Sequence, residues 1–69
     1  MNITKEMAIE FYKNLCKKVY GDENKTQGGI MTIGLIADHM QISFEKAKAF
    51  CDAMINYRIT EKCSGMIIV

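Results

Sequence analysis

The sequence lacks the features of membrane-spanning and exported proteins. No apolar run among the 69 residues approaches the ~20 residues that cross a bilayer. Near the N-terminus, Lys5, Glu6 and Glu10 interrupt any signal-peptide core. We therefore expect a soluble, cytoplasmic protein with no membrane partner. A chain of this length has room for a single domain, which would cover residues 1–69.

Metal ligands and catalytic groups are also scarce. His39 is the only histidine, and the three cysteines, Cys16, Cys51 and Cys63, are far apart in the sequence. Zinc knuckles and redox dithiols need closely paired ligands, so this spacing favours reduced thiols, with Cys16 and Cys51 in the core. No nucleophile has an evident partner base. We expect no enzymatic activity, metal, cofactor or small-molecule substrate.

An excess of charge of either sign is nearly absent, because nine basic and eight acidic residues leave a formal net charge of only +1. A domain that binds nucleic acid unaided is usually much more basic, since affinity comes largely from neutralising phosphates. The charge balance therefore weighs against a simple nucleic-acid-binding role.

Hydrophobic periodicity predicts three helices. The first covers Thr4 to Tyr20, can be capped by Asn2 or Thr4, and can end at Gly21. The polar segment from Gly21 to Gly29 is then expected to be a mobile loop. A short strand at Ile30-Met31 precedes a helix from Ile33 to Met40, for which Thr32 is a suitable cap.

The third helix follows a break at Gln41-Ile42-Ser43. Ser43 should cap it, and it should run to about Tyr57. Its outer face should carry Glu45, Ala49, Asp52 and Asn56. Its inner face is expected to bury six residues: Phe44, Ala47, Phe50, Cys51, Met54 and Ile55.

The last residues change from helical to strand periodicity. A strand is expected over Arg58 to Lys62, then a turn at Cys63-Ser64-Gly65 and a strand over Met66 to Val69. The predicted fold is therefore mainly α, with three helices and a small β-hairpin. Met7, Met40 and Met54 fall on apolar helix faces, which favours a core-filling role.

This order of elements resembles the winged helix-turn-helix. Small Ala37 would let two helices approach closely, and Ile42 would fill the turn between them. Gln41 stands where many such domains have glycine. The residues at packing positions of such domains are Ile36, Ala37, Met40, Ile42, Ser43, Ala47, Phe50, Met54 and Ile59.

A closer local similarity covers about fifteen residues, "MQISFEKAKAFCDAM". This stretch resembles the recognition helix of the C-terminal gamma domain of FtsK/SpoIIIE DNA translocases. The matching positions are Ile42, Ser43, Phe44, Glu45, Lys46, Ala47, Asp52 and Met54. The resemblance implies double-stranded DNA recognition by the third helix, although Glu45 replaces the neutral donor common in that family. It does not imply a motor, because the chain has no phosphate-binding G-x-x-x-x-G-K-[ST] loop.

Candidate DNA contacts come from the third helix, two helix N-termini and the wing. Free N–H groups at a helix N-terminus suit phosphate, and an acidic side chain can accept a hydrogen bond from cytosine. Lysines 17, 18 and 25 are expected to lie too far from the third helix. Four cations, Lys46, Lys48, Arg58 and Lys62, are expected to line one side. The full set is Thr32, Ser43, Glu45, Lys46, Lys48, Asn56, Arg58, Lys62 and Ser64.

A second hypothesis remains open. Winged helices also serve as protein-interaction or dimerisation modules without DNA binding, and the first helix is one surface for a homodimer. The near-neutral charge, the short wing, and Glu45 with Asp52 on the outer face favour this alternative. The DNA hypothesis also predicts a dimer or a tandem partner, because one small unit would bind weakly.

Overall fold

A computed structural model describes residues 2–24 and 28–69, and it shows three helices with a small antiparallel sheet. Lys25, Thr26 and Gln27, in the expected loop, lie outside the described residues. The mainly helical class and the three helix positions are confirmed. The elements are α1 (Lys5–Tyr20), β1 (Ile30–Met31), α2 (Ile33–Met40), α3 (Phe44–Asn56), β2 (Lys62–Cys63) and β3 (Met66–Ile68).

Each helix begins at a hydroxyl-bearing residue that caps its first turn. Thr4 Oγ1 accepts a hydrogen bond from the Met7 amide at 3.2 Å, which makes Thr4 the cap of α1. The Ser43 hydroxyl accepts from the Lys46 amide at 3.1 Å. A cap of this kind stabilises a helix by about 1 kcal/mol, because it satisfies a backbone donor that has no partner within the helix. The caps therefore fix where the chain turns.

The turn between α2 and α3 has only three residues. Gln41 adopts a left-handed conformation (φ 56°), and the Ile42 amide donates to the carbonyl of Ala37 at 3.1 Å. This pattern closes a helix by satisfying its last carbonyls. Ile42 then packs partly buried against the core, and Ser43 starts α3. The sequence prediction of this corner is confirmed.

The predicted strand from Arg58 to Lys62 is wrong. Arg58 is left-handed (φ 59°), and the Ile59 amide donates to the Met54 carbonyl at 2.8 Å, so these residues close α3. An extended strand begins only at Lys62. Cys63 also lies in this strand and not in the turn, which consists of Ser64 and Gly65, both with positive φ.

The sheet has the order β1-β3-β2, with β3 in the centre. Met31 and Lys62 both pair with Ile67, from opposite sides. Ile67 is fully buried, so β3 ties the sheet to the helices.

One hydrophobic core joins the helices and the sheet. Phe11 of α1 and Phe50 of α3 stack with ring centroids 4.4 Å apart. Cys16 and Cys51 are buried, as predicted. The core residues are Ala8, Phe11, Leu15, Cys16, Met31, Ile36, Ala37, Ala47, Phe50, Cys51, Ala53, Met54, Ile67 and Val69.

Two residues expected inside lie at the surface. Phe44 is 55% exposed, and the prediction that it is buried is wrong. It is the first residue of α3 and lies at the border of the apolar arc, so no preceding helical turn shields its ring. Met7 is 41% exposed, so it does not fill the core as predicted.

Candidate nucleic-acid interface

The outer face of α3 divides into two halves with different surroundings. Glu45 and Lys46, in the first turn, are exposed, whereas Ala49 and Asp52 further along are half-buried. The first half is therefore open to a partner, and the second is partly covered at Ala49 and Asp52, although Asn56 at its end is exposed.

The cover of the second half comes from the N-terminal segment. Tyr57 Oη donates a hydrogen bond to the Ile3 carbonyl at 3.1 Å, which joins residues 54 positions apart. The resulting hollow of about 370 Å³ is lined by Ile3, Ala49, Asp52, Ala53, Asn56 and Tyr57. Asn56, a predicted DNA contact, lines this hollow and is itself exposed.

Lys48 is already paired within the chain. Its Nζ lies 2.9 Å from Asp52 Oδ2, one helical turn later, and both side chains remain accessible to water. This is the only ion pair within 4.0 Å in residues 2–24 and 28–69. An exposed pair of this kind contributes roughly 0–1 kcal/mol, so phosphate can compete for the ammonium.

The predicted cations do not form a single cluster. Lys46 and Lys48 leave α3 about 200° apart, so they flank the outer face on opposite sides. The ammonium of Lys62 acts to lower the pKa of the Cys51 thiol, and Cys51 follows Lys48 by three residues on α3. Arg58 and Lys62 share a hollow of about 360 Å³ at the end of α3, together with Glu61.

The three predicted hydroxyl contacts are all exposed, but two already have partners. Thr32 Oγ1 accepts from the Leu35 amide at 3.1 Å, and Ser43 likewise caps α3. Ser64 lies at the tip of the hairpin with φ 52°. Each hydroxyl still has a proton to donate to a phosphate oxygen.

Phe44 is an exposed residue that the sequence analysis did not include among the candidate contacts. Its ring lies beside Glu45 and one turn before Lys48, at the open end of α3. Its exposure could have been predicted from its place directly after the Ser43 cap. The first residue of a helix has no preceding helical turn to cover its side chain. Leu35 of α2 is also exposed, and its position opposite the buried Ile36 and Ala37 was a helical-wheel signal.

The thiols and the phenol near the core are held in their neutral forms. Burial raises the pKa of the Cys51 thiol to about 11, with Asp52 adding to the shift and Lys62 opposing it. Burial also raises the pKa of Tyr12 to about 12, with Cys16 as the second cause. These groups suit a packed core and not nucleophilic chemistry.

Within the described residues, no three His, Cys, Asp or Glu side chains gather into a group that could hold a metal ion. None of the helices in that part of the chain combines the length and the apolar character needed to cross a membrane. Comparison with known proteins gives no match to a family model, a curated protein or a solved structure.

Proposed function

We propose that the chain is a winged-helix module that binds double-stranded DNA through the first two turns of α3 and the β2–β3 hairpin. The observation that carries this proposal is the exposed start of α3, which follows a capped three-residue turn after α2. In helix-turn-helix proteins, the N-terminal residues of the second helix contact base edges in the major groove.

The chemistry of this surface fits a DNA groove. Glu45 can accept a hydrogen bond from the N4 amino group of cytosine, and the Phe44 ring can contact a thymine methyl group. Lys46 on one flank and Lys62 on the other would meet the two phosphate backbones that border the groove. The surface thus combines base-edge contacts in the centre with cations at both sides.

A protein-interaction role is the second candidate. The observation that favours it is the exposed Phe44 ring beside a Lys48 that is paired with Asp52. Exposed aromatic side chains with few unpaired charges are typical of protein contacts. The two functions use the same end of α3, so they differ in the ligand and not in the surface.

Amide chemical shifts of the labelled protein, recorded during a titration with duplex DNA, test the proposal. We expect shifts confined to residues 43–48 and 62–66, because those residues form the exposed start of α3 and the hairpin. Shifts confined to α1, or no shifts at low salt, would contradict it.

A further inference from the structure

One side of α1 carries two adjoining hollows that nothing in the described residues fills. The first, about 270 Å³, lies over the stacked Phe11 and Phe50 rings, and Met7, Glu10 and Asn14 complete its lining. The second, about 600 Å³, is lined by Asn14, Lys17, Lys18 and Met40. Because Asn14 lines both, they form one continuous surface, which we call the α1 groove.

The charges beside the α1 groove are sorted by sign along the helix. Glu6, Glu10, Lys13 and Lys17 follow one another at intervals of four, three and four residues, so they share one flank of α1. Within the chain this order places like charges one turn apart, Glu6 with Glu10 and Lys13 with Lys17, which is unfavourable, and only Glu10 and Lys13 are neighbours of opposite charge. None of the four is in an ion pair among residues 2–24 and 28–69.

A two-fold interface must be complementary to itself, since the same surface is used by both copies. A flank that is acidic in its first half and basic in its second meets this requirement only when two helices run antiparallel. We propose that a second copy of this chain docks on the α1 groove, with the two α1 helices antiparallel about a two-fold axis.

In this arrangement each acidic half faces a basic half. Glu10 lies opposite Lys13 of the second copy, and Glu6 lies opposite Lys17. The same alignment places Met7 near Lys17 and Lys18 of the other chain, at the hollow beside Met40. Met7 is 41% exposed and flexible, so it can fill that irregular space.

The proposed dimer goes beyond DNA binding and is independent of it, because the α1 groove does not include the start of α3 or the hairpin. A chain that dimerises and does not bind DNA would refute only the proposed function. A monomer that binds DNA would refute only the dimer.

Light scattering coupled to gel filtration, without DNA, tests the dimer directly. The wild-type chain at about 100 µM, well above the Kd expected of a specific dimer, should show twice the chain mass of 7.8 kDa. Glu10→Lys and Lys13→Glu should each weaken association by about tenfold, because each places like charges opposite one another. Combining both changes in one chain should restore the dimer, since the pairs are rebuilt with the signs exchanged.

Two controls keep the result interpretable. Glu61→Lys makes the same charge change outside the α1 groove and should leave the dimer mass unchanged. Circular dichroism confirms that each variant is folded, and exposed Met7→Lys, which places a third cation beside Lys17 and Lys18 of the other copy, supplies a second disruptive variant if a charge reversal unfolds α1. A monomeric wild-type chain, or a combined variant no better than the single reversals, would overturn the proposal. A Met7→Lys variant that is as fully dimeric as the wild type would do the same.

Discussion

Phe44 and Phe50 lie on the same helix and meet opposite environments. Phe50 stacks on Phe11 and is buried, whereas Phe44 is more than half exposed at the start of α3. The sequence analysis placed both on the inner face. Helical spacing predicts the face of the helix on which a side chain lies, but it does not show that a side chain at the end of a helix is less covered. The difference defines a test of the packing.

Phe44→Ala should leave the free energy of unfolding within about 1 kcal/mol of the wild type, because little buried surface is lost. Phe50→Ala should cost about 3–5 kcal/mol, since it removes a stacked core ring. Urea titration measured by circular dichroism gives both values. Equal losses at the two positions would show that Phe44 is buried after all.

Cys51 links the core to the pH dependence of stability. Burial raises the pKa of its thiol from 9.0 to about 11, so the folded state keeps the proton that the unfolded state releases. Stability should therefore be fully present below pH 9.0 and should fall as the pH rises to about 11. Tyr12, whose pKa rises from 10.0 to about 12, extends the decline upward.

Urea midpoints measured across this pH range test the assignment. Cys51→Ala should make the decline between pH 9.0 and about 11 less steep, because one of the two buried thiols is gone, while Cys16, whose pKa is also raised by burial, still contributes. Leu15→Ala also removes a buried side chain but no thiol, and it should keep the wild-type slope. An unchanged slope in Cys51→Ala would exclude the thiol as the cause.

At the scale of the element, α2 and α3 end in the same way, with a left-handed residue that is not glycine. Gln41 and Arg58 both adopt left-handed conformations, with φ of 56° and 59°, and each follows the last turn of its helix. Residues with a Cβ are strained in this region, whereas glycine adopts it freely. The backbone is therefore strained at the turn before α3 and at the turn after it.

Gln41→Gly and Arg58→Gly should each raise the free energy of unfolding by about 0.5–1 kcal/mol, because they relieve this strain. Ala49→Gly, in the middle of α3, should lower it by about 1 kcal/mol, since glycine there only adds flexibility to the unfolded chain. Thermal unfolding distinguishes the signs. A loss of stability at both corner positions would contradict the left-handed geometry.

The sequence predicted features that depend on near neighbours. Thr32 and Ser43 were identified as caps, and Ile42 as the residue that fills the turn, because cap chemistry and helical spacing act within a few residues. The strand predicted at Arg58 failed because the hydrogen bonds that close α3 took precedence over β-branched composition. The Tyr57–Ile3 bond could not be predicted, since periodicity says nothing about contacts between distant segments.

In the candidate site, too, local features could be predicted from the sequence and contacts between distant segments could not. Exposure of Glu45 and Lys46 followed from pattern and spacing. The pairing of Lys48 with Asp52 was available from their one-turn separation. That the N-terminal segment covers the second half of the outer face depends on how the whole chain packs, so only the structure revealed it.

At the scale of the whole molecule, dimerisation would compensate for the low net charge of a single chain. A net charge of +1 gives a single chain little attraction to DNA. An antiparallel α1 dimer would bring two copies of α3 and the hairpin into one particle and double the phosphate contacts. Half-sites with two-fold symmetry are then the expected form of a target.

The salt dependence of duplex binding tests the DNA-binding claim most directly. Fluorescence anisotropy of a labelled duplex, measured from about 50 mM to about 200 mM salt, should show an affinity that falls with a log–log slope of about −0.9 per phosphate contact. Lys46→Ala and Lys62→Ala should each reduce that slope by about one contact per chain, whereas Lys5→Ala in α1 should leave it unchanged. Absence of binding at about 50 mM salt, or equal slopes for all variants, would contradict DNA binding through α3 and the hairpin.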